Sequence, residues 1–548
     1  MKVSAAQAIL KVLEEHGANV VFGYPGSAIA PLYDALSHSR SIRHILPRSE
    51  QSAAHAASGY AKASGKVGVC IATSGPGATN LITGIATAYS DSIPMVAITG
   101  QVHSALVGRD AFQEADITGA TNPFTKHNYL VRDADEITDV LREAFYIAST
   151  GRPGPVLIDI PVDIFSKTVE FKKFKQPSLR GYKPTYKGNA LQMKRVAACL
   201  AQARRPVICV GGGCVNDNAA DALGEFVKQT QIPVVTTLKA LGAIPTDHPL
   251  NLGMVGMYGG AAARQAVYGC DTLMIIGARI GDRSINNAKI ADRTGIHIIH
   301  IDIDPAEIGK NINANIPVVG SARDVLNDLN AHAIKTNVDK DWVLSLAALR
   351  KEERVKPCAS GKPGFVTPTQ VISALNQLTG GDCIVTTEVG QNQIWAAQTA
   401  LVLSPRNFIT SGGLGTMGYG LPAAIGAKIA RPEKTVVAIS GDGSLQMSLA
   451  ELATIFENGM DIKILLLDNQ ALGMIREYQR TAYGENYFSV FLKGNPDFVK
   501  LADAFGILGE RVTDNADILP ALTRALSYKG AYFVDFMVDP LEPTSRLE

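Results

Sequence analysis

Apolar and polar positions along this chain follow two alternating periods. Short β-branched runs such as VGVCIA (67–72), PVICV (206–210) and TVVAIS (435–440) are each followed by stretches whose apolar residues recur at helical spacing. This is the pattern of parallel strands joined by crossover helices, an α/β class. Two segments interrupt it, roughly 165–190 and roughly 335–368, both rich in Lys, Arg, Pro and Gly, and they read as linkers. They predict three parallel-sheet α/β domains, over 1–170, 190–340 and 365–548.

The stretch 435–469 is the most informative. An apolar run ends in Gly441-Asp442-Gly443, an amphipathic helix follows, and a second apolar run ends in Asn469. Crossovers of this kind are nearly always right-handed and join parallel strands, so Asp442 and Asn469 should meet at carboxyl ends of one sheet. Residues 67–101 repeat the unit: strand, Gly-Pro-Gly, small-residue helix, strand, Gln. Pro76 stands in place of Asp442 and Gly100 in place of Asn469. The first copy keeps the scaffold without the polar pair, as expected if the two modules supply different halves of one site.

Composition narrows the class. At 548 residues the length prior allows about three to four domains. A net charge of +1 and no dense basic block argue against nucleic acid as a partner. Seven cysteines without a Cys-x-x-Cys pair read as reduced thiols of a cytoplasmic protein, and neither a signal-peptide pattern nor a bilayer-length apolar run points to a membrane.

A carboxylate at 442, an amide oxygen at 469 and a backbone carbonyl, that of Ala471, form a hard-cation site suited to Mg²⁺ with positions left for diphosphate oxygens. Gly441 and Gly443 let the backbone approach such a diphosphate. With Asn469 following Asp442 by 27 residues in a strand-helix-strand context, the pattern resembles the thiamine diphosphate signature. That chemistry needs an acid beside the aminopyrimidine ring. Glu50 is the candidate: it follows the strand-like SIRHILPR and opens the small-residue helix QSAAHAASGYAKASG, where it could share a proton with the ring. An ordinary Glu favoured by a helix dipole is the plain alternative.

Over nearly its whole length the chain resembles acetolactate (acetohydroxyacid) synthase catalytic subunits. The matching segments include FGYPG (22–26), TSGPGATN (73–80), DAFQEADI (110–117), TKHNYLV (125–131), GRPGPVLIDIP (151–161), HIDIDPAEIGKN (300–311), EVGQNQIWAAQ (388–398), GGLGTMGYGLPAAIGA (412–427) and NQALGMI (469–475). The resemblance implies pyruvate decarboxylation and ligation of the two-carbon unit to a second 2-oxo acid, within branched-chain amino-acid synthesis. It implies a homodimer or homotetramer with the cofactor bridging two subunits, and a possible separate regulatory subunit. By carry-over, Val389, Gly390, Gln391, Asn392, Gly415 and Met417 line the cofactor, Met417 bending it. Asp442, Gly443, Ser444, Asn469, Leu472, Gly473 and Met474 hold its diphosphate end.

Simple thiamine decarboxylases carry a His pair near the DAFQEAD position; Phe112 and Gln113 stand there and no adjacent His pair occurs in this chain, which favours ligation over aldehyde release. Arg283 is the implied grip on the second substrate's carboxylate, with a strand-end pair to Asp282 as its plain alternative, and Lys126 is a further candidate. Met474, Phe112 and Tyr478 would line the substrate pocket, Tyr478 standing where the family commonly has Trp. The middle module implies a non-redox FAD held by Arg152, Gly212, Gly213, Met257, Arg279, Asp282, Arg283 and Asp302, with departures at Tyr258, RIGDR and Ser321. Rival readings are another thiamine enzyme, such as sulfoacetaldehyde acetyltransferase or a flavin-using pyruvate oxidase, and a non-catalytic binding protein.

Overall fold

The computed structural model describes residues 1–285, 295–355 and 362–544. Three six-stranded, wholly parallel sheets carry the fold. The first runs, edge to edge, Arg43–Ile45, Val20–Gly23, Gly68–Ala72, Met95–Gln101, Pro155–Pro161, His127–Leu130. The third runs Phe408–Ile409, Cys383–Thr387, Thr435–Gly441, Ile462–Asp468, Tyr532–Met537, Leu508–Val512. Strand for strand these two orders are the same, so the repeat visible in residues 67–101 and 435–469 extends to whole sheets. The middle sheet differs: Asn251–Met254, Val234–Thr236, Pro206–Val210, Thr272–Ile276, His297–Asp302, Ile316–Val319. That is the doubly wound dinucleotide-fold order. A short antiparallel pair, Lys2–Ser4 with Thr168–Glu170, ties the chain start to the exit from the first sheet.

The strands are buried almost throughout because helices cover both faces, which is why they read as continuous apolar runs. The first and third sheets share one core. Helix Glu50–Ser64 crosses helix Gly420–Ala430, and the contact depends on glycine: a Cβ on Gly59 would lie 2.2 Å from the Ala423 carbonyl, and one on Gly426 would lie 1.9 Å from that of Ala56. The small residues flanking Glu50 are therefore a helix-packing face.

One expectation is corrected. The segment 335–368 is not simply a linker, because Lys340–Val355 forms a helix. Its Leu346 and Trp342 pack into the middle sheet's outer core, while Leu344 on the same helix is well exposed. Residues 356–361 of that segment lie outside the described residues. Among the described residues no helix is long and apolar enough to cross a membrane.

Candidate active site

The strand order places the chemistry. In each of the two similar sheets the order reverses between the first and third strands of the chain, and such switch points open crevices at the carboxyl ends of strands. In the third sheet the loops leaving Cys383–Thr387 and Thr435–Gly441 flank that crevice. They carry Val389 to Asn392 on one side and Asp442 to Ser444 on the other.

Asp442 starts a short helix and is 1% exposed. Gly441 pairs with Leu467, so the residue across from Asp442 is Asp468, with Asn469 one step beyond. Asp442 Oδ2 accepts from Asn495 Nδ2 at 2.7 Å, and the same amide lies 3.5 Å from Asp468 Oδ1. Burial first, then the neighbouring Asp468 charge, pushes the Asp442 carboxyl above the usual range. Among the described residues no hydrogen bond joins Asn469 to Asp442. Its Nδ2 donates to Gln391 Oε1 at 2.6 Å, and its Oδ1 accepts from Ala471 N at 3.2 Å. Leu472 N and Leu492 N donate to Val490 and Gln470 carbonyls, a pairing that leaves the Ala471 carbonyl out. Two crowded carboxylates, an amide and a carbonyl that are all oxygen donors suit a hard divalent cation.

The wall beside this group is apolar. A Cβ on Gly443 would lie within 3.8 Å of Leu472, Leu492 and Met417 side chains, so only glycine leaves the space open. Ser444 Oγ donates to the Val389 carbonyl at 3.0 Å, and Asn392 Oδ1 is buried without a hydrogen-bond partner, as expected of a group waiting for a polar ligand. Met417 sits between Gly415 and Gly418, both at positive φ. That loop is pinned by Glu388, which is fully buried and accepts from Gly418 N at 2.8 Å and Leu421 N at 3.1 Å. Burial pushes Glu388 up to about 7, against the pull of those N–H groups.

In the first sheet the Gly-Pro-Gly turn faces Glu50. Glu50 opens its helix behind Ser49, is half-buried, and accepts from Asn80 Nδ2 at 3.0 Å; a Cβ on Gly77 would lie 3.2 Å from its Oε1. It is thus both a first-turn helical Glu and the acid of that turn. Gln113, at positive φ, packs its backbone on Gly75, while Phe112 is 89% exposed. Among the described residues no hydrogen bond, ion pair or ring contact joins Glu50, Asn80 or Gln113 to Asp442, Asn469 or Gln391.

The third group is a cleft of about 710 Å³ at the switch point of the middle sheet, between the loops after Pro206–Val210 and Thr272–Ile276. Arg152, Gly212, Gly213, Met257, Arg279, Asp282, Arg283 and Asp302 all line it, and it runs on to Val389, Gly415 and Met474. Arg152 pairs with Glu307 at 2.7 Å and Asp304 at 3.2 Å. Arg279 donates to the Ser90 carbonyl at 2.5 Å. Burial pushes Asp302 up to about 6. Arg283 lies 3.7 Å from Asp282, both well exposed, so that pair is weak, and its guanidinium also donates to Met257 Sδ at 3.2 Å.

Two candidates stand apart. Lys126 is spent on structure: its Nζ donates to Thr150 O at 2.7 Å, Tyr182 Oη at 2.9 Å and Ile147 O, closing the end of the helix Ile137–Ser149. Tyr478 is 57% exposed on the helix Gly473–Ala482, edge-on to Tyr483 with centroids 5.7 Å apart. Sequence reading missed Asp468, Asn495 and Glu388. Asp468 was within reach, since an Asp ending an apolar strand beside Asn469 must face Asp442 in a parallel pair; Asn495 comes from a distant loop.

Comparison with known proteins agrees with this layout. The N-terminal TPP binding domain of thiamine pyrophosphate enzymes matches residues 3–120, the central domain 193–329 and the C-terminal TPP binding domain 388–536. A probable acetolactate synthase large subunit of Methanocaldococcus jannaschii is 46% identical over 98% of this chain and 93% of its own length. The chain belongs to the acetolactate synthase family of thiamine pyrophosphate enzymes. Acetolactate synthase of Mycobacterium bovis is 46% identical over 98% of this chain and 88% of its own, and the isozyme 2 large subunit of Escherichia coli 45% over 98% and 96%. It is a thiamine pyrophosphate-dependent carboligase.

Proposed function

We propose that this chain is an acetolactate synthase catalytic subunit, joining two pyruvates to 2-acetolactate with loss of CO₂, and accepting 2-oxobutyrate as a second acceptor. The observation that carries the reading is the pairing of two similar sheets, one bearing Glu50 and the other Asp442 with Asn469, at equivalent switch points. The division is into domains 1–170, 190–340 with the helix Lys340–Val355 packed onto it, and 365–548. Bound thiamine diphosphate supplies the carbon nucleophile and electron sink for decarboxylating a 2-oxo acid. Asp442, Asn469 and the Ala471 carbonyl hold Mg²⁺, and Gly441 and Gly443 admit the diphosphate. Glu50, presented by a second copy, holds a proton at the pyrimidine nitrogen. Val389, Met417 and Leu472 exclude water along the apolar wall. Arg283 binds the carboxylate of the acceptor, and Phe112 and Gln113 offer no imidazole acid to end the reaction by protonation.

The middle cleft fits FAD. Its volume, its paired glycines at the head of a short helix and its arginines suit a dinucleotide, which takes no electrons in the ligation. The assembly is a homodimer or homotetramer, and the "large subunit" in relatives' names supports a smaller regulatory partner. The experiment is anaerobic incubation with pyruvate, thiamine diphosphate and Mg²⁺, with and without FAD. Acetolactate with an unbleached flavin is expected. Acetyl phosphate or stoichiometric flavin reduction would favour the oxidase reading.

A further inference from the structure

Glu477, one turn into the helix Gly473–Ala482, has its carboxylate surrounded by donors. Gln391 Nε2 donates to it at 2.8 Å, Thr544 N at 2.6 Å and Thr544 Oγ1 at 2.6 Å. A carboxylate only accepts, so the end of the Gln391 carboxamide facing it must be the NH₂. The oxygen end, Oε1, is then turned to Asn469, whose Nδ2 donates to it at 2.6 Å. Asn469 is fixed in turn, with its NH₂ committed to Gln391 and its Oδ1 directed to the other side. Only that oxygen can ligate a hard cation.

The two carboxamides have little room to rearrange. Gln391 is 3% and Asn469 4% exposed, and a Cβ on Gly473 would lie 1.7 Å from Gln391 Oε1 and 2.9 Å from Asn469 Nδ2. Glycine at 473 makes space for this amide pair, and Glu477 gives the pair its polarity together with the Glu542 carbonyl, which accepts from the same Gln391 Nε2 at 2.8 Å.

We infer that Glu477 is a positioning residue which, through Gln391, sets which atom of Asn469 is presented to the divalent cation; this rests on the reading of Asp442 and Asn469 as cation ligands. Glu477 touches no reacting group itself. Its effect should therefore appear in the cation dependence of cofactor binding.

The test is equilibrium dialysis without any 2-oxo acid, measuring the Mg²⁺ concentration for half-maximal retention of thiamine diphosphate, together with Tm. Glu477→Met should raise that concentration up to about 10-fold, the low end of the loss seen when a ligand's direct outer partner is removed, because the Glu542 carbonyl still accepts from Gln391. Glu477→Ala, with no bulk to misplace, should do the same. Glu477→Gln keeps a carbonyl oxygen for Gln391 and should stay within about threefold of the parent. A lowered Tm with an unchanged Mg²⁺ dependence in the Met and Ala variants would overturn the inference. Asp442→Ala run alongside separates the two readings. If it abolishes retention while the Glu477 variants bind normally, only the role of Glu477 fails; if it too retains cofactor, the cation site itself is misplaced.

Discussion

Asp442 and Asp468 stand side by side in a region almost without solvent, where the Asn495 amide and the Gln470 N–H donate to them and Arg511 is the cation acting on Asp468. The 27-residue spacing in a strand-helix-strand unit pointed to Asp442 and Asn469. What spacing could not show is direction. The turn of the Asn469 amide toward Gln391, the grip of Glu388 on Gly418, and Asn495 closing over Asp442 are set by side chains far apart in sequence. Tyr478 illustrates the same limit. It lies four residues after Met474 on one helix, hence on the same face, and Met474 lines the cleft. A phenol is smaller than an indole, and this one is engaged with Tyr483. We expect weak preference for 2-oxobutyrate over pyruvate as acceptor. Tyr478→Trp should increase it, within the roughly 10–200-fold that one methylene in a fitted pocket can give. Competition assays comparing acetohydroxybutyrate with acetolactate check this, and an unchanged ratio would sink it.

At the scale of elements, alternating apolar runs and helical stretches made the three sheets and both glycine turns legible, because strands covered on both faces cannot hide their apolarity. Strand order was not legible, since it depends on which crossovers lie across which face. The helix Lys340–Val355 was missed because its apolar residues do not follow one clean helical face, Leu344 being exposed while Leu346 is buried, and its last turns are a charged run beside the Pro- and Gly-containing segment. The helix QSAAHAASGYAKASG was read as the setting for Glu50, yet its small residues serve the crossing with Gly420–Ala430. Gly426→Val should therefore destabilise by about 1–3 kcal/mol through overpacking against the Ala56 backbone. A calorimetric Tm equal to the parent's would show that the two helices are not in close contact.

At whole-molecule scale one buried carboxylate joins groups from all three sheet regions. Asp91, fully buried, accepts from Lys62 Nζ at 2.7 Å and from Gly413 N at 2.8 Å, and lies 3.2 Å from Lys239 Nζ. These partners belong to all three sheet regions. Burial alone would raise its pKa, but Lys239 and Lys62 more than offset this and hold the carboxyl below the ordinary range. With the folded pKa depressed, the stability it contributes is present above the unfolded Asp pKa near ~3.9 and is lost as pH falls through the lower folded value. Asp91→Asn should cost about 3–5 kcal/mol at pH 7, by stranding two buried ammonium groups. Denaturant titrations of the parent and Asp91→Asn should show that difference at pH 7 and a shrinking difference as pH falls below about 3.9; equal stability at pH 7 would show the cluster to be idle.

The central claim is that one cofactor is served by Glu50 of one copy and Asp442 of another. Glu50→Gln and Asp442→Ala should each be nearly inactive alone. Co-expressed at equal levels and purified as mixed dimers by two different tags, they should regain acetolactate formation, because half of the sites in each mixed dimer combine an intact Glu50 with an intact Asp442. Mixed dimers as inactive as either variant, yet holding the parent's fold, would contradict it.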